Sequence, residues 1–161
     1  MSNTLVSVLA AVSALGAGLV AGALFGFSTI VMRGLNALPP HQGAAAFKAI
    51  DAMVMRTAFV GVFVGTGVVS AVAVILGITS WSRPEGPYLL LGGLLYLVGV
   101  IGITRAVHLP RNNALAAVEA DSPEARDLWT REFPAWVRWN HVRMLVAILA
   151  AVAFMLALRL A

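Results

Sequence analysis

The chain of 161 residues contains no cysteine. That excludes a disulfide framework, thiolate metal sites and thiol catalysis, and it leaves the compartment open. Charge is scarce too: Asp, Glu, Lys and Arg make up 11% of residues, against 60% that are hydrophobic. No acidic residue falls within the long apolar runs described below, which argues against a pump or antiporter built on a midplane carboxylate. A glycine-rich phosphate loop, a nucleophile elbow, internal repeats and low-complexity tracts are all missing. The excess of 11 Lys+Arg over 7 Asp+Glu forms no continuous basic patch, so no nucleic-acid partner is expected.

What is present is apolar length. The mean hydropathy of +0.91 is that of an integral membrane protein. About 20 residues cross a bilayer core, and four runs approach or exceed this. Residues 4–32 and 57–79 carry no charge; residues 87–104 and 144–158 are apolar and reach the interface through polar ends. The first run lacks a basic start and is longer than a signal peptide's apolar core of roughly 7–15 residues, so it is expected to stay as a helix. The expected fold is all-α. It is a single membrane domain over 1–161, a four-helix bundle with spans near 4–32, 53–79, 87–108 and 136–159. An amphipathic helix is expected in the loop between helices 3 and 4.

An even number of spans puts both termini on one side and the loops 33–56 and 105–143 on the other. The loop side holds Arg33, Lys48, Arg56, Arg105, Arg111, Arg126, Arg131, Arg138 and Arg143; the terminal side holds Arg83 and Arg159. The positive-inside rule therefore assigns these loops to the cytoplasm, for a multi-pass protein of the plasma (inner) membrane.

Small residues suggest how the helices meet. Gly18, Gly22 and Gly26, continued backwards by Ala14 and Ala10, form a groove on helix 1 that admits close approach. Gly61 and Gly65 on helix 2, and Gly92, Gly99 and Gly102 on helix 3, extend the pattern. Leu38-Pro39-Pro40-His41-Gln42-Gly43 breaks the chain, and the helix-prone stretch from Ala44 to Arg56 is expected to lengthen helix 2. Helix 3 is expected to stop at Leu109-Pro110. Ser122-Pro123 is a helix start, with Leu128, Trp129 and Phe133 making that helix amphipathic over the surface or the bundle mouth. Pro134 should end it.

The chemistry concentrates where helix 4 enters the membrane. Trp136, Asn140 and Arg143 lie at i, i+4, i+7 and share one face. An Asn near lipid is costly without a partner, so this face is expected to point inward. Asn112 and Asn113, beyond Pro110, cap a turn on one reading and fold back beside 136–143 on another. Asn112, Asn140, Arg143, Trp136 and Trp139 would then offer an aromatic platform, two carboxamides and a permanent cation, suited to a flat, phenolic, partly anionic molecule. The three histidines, His41, His108 and His141, all lie on the loop side without metal-ligand spacing, so no metal site is expected.

Pro110-x-Asn112-Asn113-x-Leu115, with Trp136-x-x-Trp139-Asn140-His141-Val142-Arg143 entering helix 4, resembles the anthrone-oxygenase-like family of small four-helix membrane proteins. Phe25-x-Phe27 and Val31-Met32-x-x-Leu35 are similar as well, so the resemblance covers nearly the whole chain. Arg111 departs from it, standing where the family often has an apolar residue. The resemblance implies the four-helix fold. For characterised fungal members it also implies oxidation of an anthrone to an anthraquinone by dioxygen, without flavin or metal. The expected function is thus a cofactor-independent anthrone-type oxygenase of a polyphenolic or quinone-like substrate. Catalytic roles fall to His141 as base (His108 if it sits closer), Arg143 and Asn140. Substrate-binding roles fall to Asn112, Asn113, Trp136, Trp139 and His108. The competing expectation is a non-catalytic membrane protein that binds a quinone, lipid or haem, or assists assembly of another membrane protein. Expected partners are a hydrophobic or phenolic small molecule and membrane lipids; a homo-oligomer stays open.

Overall fold

A computed structural model describes residues 3–161, and its regular structure is helical throughout. Five helices are formed among the described residues. Helix α1 runs Asn3–Asn36, α3 Ala58–Thr79, α4 Gly86–Ala116 and α5 Pro123–Leu160, and these four are long and apolar enough to cross a membrane. The shorter α2 spans Pro40–Val54 outside the bundle. Each long helix packs on two neighbours, in the cyclic order α1, α3, α4, α5. The result is the expected all-α four-helix membrane bundle. Its outward faces carry Leu15, Leu19, Ile30, Val68, Ile75, Leu91, Val98, Leu145 and Leu149, all exposed. In water such a belt would be an aggregation surface; in a bilayer it faces acyl chains.

Two cores stack along the bundle. The membrane half joins Ala10, Ala17, Val20, Ala21 and Leu24 of α1 to Ala147, Ala150, Ala151, Phe154 and Ala157 of α5, with Leu89, Tyr96 and Val100 from α4. Small side chains let these backbones approach, because in lipid packing rather than dehydration drives association. The loop-side half is aromatic: Met32, Leu35, Phe47, Leu115, Trp129 and Trp136 gather under α2. Phe47 lies with its ring centroid 5.7 Å from Trp129 and 5.6 Å from Trp136.

Four expectations are corrected. The seam of α1 is Ala10, Ser13, Ala17, Ala21 and Leu24, whereas Gly18 and Gly22 are exposed in an open groove beside Ile148, Val152 and Met155. Gly26, Gly61 and Gly65 have nothing within contact distance of an added Cβ either; Gly92 and Gly99 do, against Phe154 and Val146. The stretch from Ala44 does not run into the second span. The chain breaks at Thr57, which is extended and whose hydroxyl donates to the Val54 carbonyl at 2.8 Å. Pro110 does not stop the third long helix. The preceding turn, Thr104–His108, winds as a π-helix, and Arg111 Nη1 donates to the Val107 carbonyl at 2.9 Å. The wider turn gives the proline ring room and shifts the hydrogen bonds that it cannot make.

Finally, Pro134 does not separate an amphipathic helix from the fourth span: α5 is continuous over 38 residues. The amphipathic part covers the bundle mouth, and its start is as expected, with the Ala125 amide donating to Ser122 Oγ at 3.1 Å. An internal proline costs about 3 kcal/mol. Trp129 and Trp136, buried on either side of Pro134, supply the packing that offsets it.

Candidate functional site

The junction of the two cores is polar. Asn140 is completely buried. Its Nδ2 donates to the Leu24 carbonyl at 3.0 Å and to Ser28 Oγ, both on α1. Its Oδ1 accepts from Arg143 Nη2 at 2.5 Å. Arg143 Nη1 donates to Thr104 Oγ1 at 2.7 Å, and the Thr104 hydroxyl donates to the Val100 carbonyl at 2.7 Å. A single layer thus ties α1, α5 and α4 together. The side chain of Asn140 is fully satisfied within it, which is what a carboxamide at this depth requires.

Arg143 is not satisfied. It is 8% exposed, and its Nε has no hydrogen-bond partner. None of the ion pairs among the described residues includes it; these are Arg83–Glu85, Arg111–Glu132 and Arg131–Glu132. His108, one turn beyond Thr104 on α4, is 2% exposed, and both its ring nitrogens lack partners. Its ring stands edge-on to Trp136, with centroids 4.8 Å apart.

Above this layer a second network begins. Trp136 Nε1 donates to Asn112 Oδ1 at 3.0 Å, and Asn112 Nδ2 donates to Asp51 Oδ1 at 2.8 Å. This links α5, α4 and α2. Burial raises the Asp51 carboxyl above its ordinary value of 3.8, and the Asn112 hydrogen bond opposes that only in part. A narrow cleft of about 20 Å³, room for roughly one water, opens over Trp136 between Phe47, Asn112, Trp129 and Phe133. Arg111 and Glu132, paired at 3.1 Å, also line it.

The residues singled out from the sequence therefore fall into three places. Asn140, Arg143 and His108 are buried at the junction, with Trp136 directly above. Asn112 bonds Trp136 and Asp51, and it forms no bond to Asn140 or Arg143. Asn113 is exposed, with its carbonyl accepting from the Ala117 amide at 3.0 Å. Trp139 and His141 are half-buried, and His141 Nδ1 pairs with the Val137 carbonyl of its own helix at 2.8 Å.

Ser28, Thr104 and Asp51 were not singled out. Ser28 and Thr104 are hydroxyls within apolar helices, where such a side chain can bond its own backbone or reach a neighbouring helix. Both lie in π-helical turns, Phe27–Val31 and Thr104–His108, and such turns recur at functional sites. Among the described residues no three His, Asp or Glu side chains gather as a metal-ligating group.

A family model described as Anthrone oxygenase matches residues 53–153. No curated protein and no solved structure matches the chain. The matched stretch holds His108, Asn112, Trp136, Asn140 and Arg143, while Ser28 lies outside it.

Proposed function

The chain belongs to the anthrone oxygenase family, and from that premise we propose that it is a membrane-embedded, cofactor-independent oxygenase of a polyphenolic or quinone-like substrate. The observation that carries this is Arg143, a guanidinium enclosed in the bundle with no carboxylate beside it. A buried charge is costly until an opposite charge joins it. A phenolate or enolate would supply that charge, and the unpartnered Nε would supply a donor.

The chemistry needs little else. An anthrone CH2 loses a proton to give an electron-rich enolate, which reduces dioxygen directly. The carbon gains one oxygen atom, both hydrogens leave, and the second oxygen departs in water. The balance is R2CH2 + O2 → R2CO + H2O, with no outside reductant. The protein's tasks are to take the proton, hold the anion and orient the ring. His108 is the base in this scheme, because it is enclosed near Arg143 with free nitrogens, whereas His141 Nδ1 is engaged within its own helix. Arg143 holds the anion. Asn140, already saturated, positions Arg143. Trp136 faces the ring system.

Reconstituted protein should convert an anthrone to its quinone with uptake of one O2, and heavy oxygen from the gas should appear in the new carbonyl. His108→Asn should lower turnover by about 10²–10⁴-fold. Arg143→Lys keeps the charge but loses the planar fork, and should cost about 10²-fold. Wild type inert on every phenolic substrate, or both variants fully active, would end the enzymatic reading.

The closed packing around Asn140 favours a second reading, a non-catalytic protein that binds a quinone, lipid or haem or aids assembly of another membrane protein. A haem absorption band in the purified protein would select it.

A further inference from the structure

Trp136 occupies a position between two spaces. One side of it lines the cleft that opens toward the loops. The other meets His108, which does not line the cleft and is sealed from it. Phe27 and Phe47 brace the indole, each with its centroid 5.6 Å away. Among the described residues the only polar restraint on the ring is the Asn112 Oδ1 acceptor, and Asn112 is in turn oriented by Asp51. Asp51 stands on α2, which ends three residues later, just before the break at Thr57.

We propose that Asn112 and Asp51 are positioning residues that latch Trp136 as a gate between the loop-side cleft and the His108–Arg143 layer. Released, the indole swings away from His108 and joins the cleft to the layer beneath, giving a flat aromatic ligand a route in from the loop side. The gate rests on the functional reading above for its purpose, but not for its test.

A chain without cysteine suits that test. His108→Cys places one thiol beneath the gate, and Ser70→Cys places one in a fully buried site on α3, remote from it. Labelling by N-ethylmaleimide is followed in detergent for each, alone and combined with latch variants. His108→Cys should label slowly by itself. Asn112→Leu, which deletes both hydrogen bonds, should speed it severalfold to about tenfold, and Asp51→Ala should do so as well. Asp51→Asn retains an acceptor for Asn112 and should restore the slow rate. Ser70→Cys should stay slow in every background. Unchanged labelling at position 108, fast labelling there before any latch variant, or equal acceleration at position 70 would each overturn the gate, the last by showing general loosening. Turnover in the otherwise native chain is measured separately. Latch behaviour without turnover removes the oxygenase and keeps the gate; turnover without latch behaviour does the reverse.

Discussion

Asp51 shows how a single half-buried carboxyl can tilt stability with pH. Its proton is held more tightly in the folded chain than in the unfolded one, because burial penalises the anion and no ion pair among the described residues offsets that. The folded state therefore binds more protons, and stability falls as pH rises. The Asp51 contribution is fully present below about 3.8 and is lost as pH climbs through the raised folded-state value. Thermal unfolding in detergent should show this decline starting in the acid range, and Asp51→Asn should flatten it. An equal slope in the variant would assign the effect to another group. At this scale the sequence was partly legible. Asn140 and Arg143 are one turn apart: the expense of leaving a carboxamide against lipid points Asn140 inward, and Arg143 follows from sharing its face and from the family motif. Ser28, Thr104 and Asp51 escaped notice, since a hydroxyl in an apolar run or an acid in a polar loop looks ordinary until the partner across the bundle is known.

Helices were easier to read than their ends. Four spans follow from apolar length alone, because a bilayer fixes the length required. Their boundaries depend on tertiary support that local patterns omit. Pro110 and Pro134 read as stops, yet a π-turn with Arg111 carries the chain past the first and buried tryptophans carry it past the second. Thr57 breaks the chain with no glycine or proline at the break to announce it. The spacing of small residues finds seams but not which of two adjacent faces is used: on α1 the Ala and Ser side won over the Gly side. Glycine substitutions test this. A Cβ at Gly22 meets nothing within 4 Å and the groove beside it is open, so Gly22→Leu should leave the melting temperature in detergent unchanged. Gly93→Ala would put a methyl 2.7 Å from the Ser70 carbonyl oxygen, prying α4 from α3, and should cost about 1–3 kcal/mol. A large loss at Gly22 with none at Gly93 would mean that the seams are misassigned.

For the whole molecule, nine of 11 basic residues stand on the loop side. We propose from this asymmetry, by the positive-inside rule, that α2 and the outer half of α5 face the cytoplasm. Cysteines at the exposed positions Ser82 and Asp121 report on this. In intact cells an impermeant maleimide should label position 82 and spare 121; the opposite pattern would invert the molecule. The continuity of α5 has a mechanical side. At 1.5 Å per residue, its 38 residues make a rod of roughly 57 Å, nearly twice the thickness of a hydrocarbon core. A stiff rod rooted in lipid and standing in water is a lever. A twist applied to its outer arm is carried down the shaft to the face bearing Asn140 and Arg143. Pro134, where a rung of the ladder is missing, sits in that shaft about half a turn before Trp136.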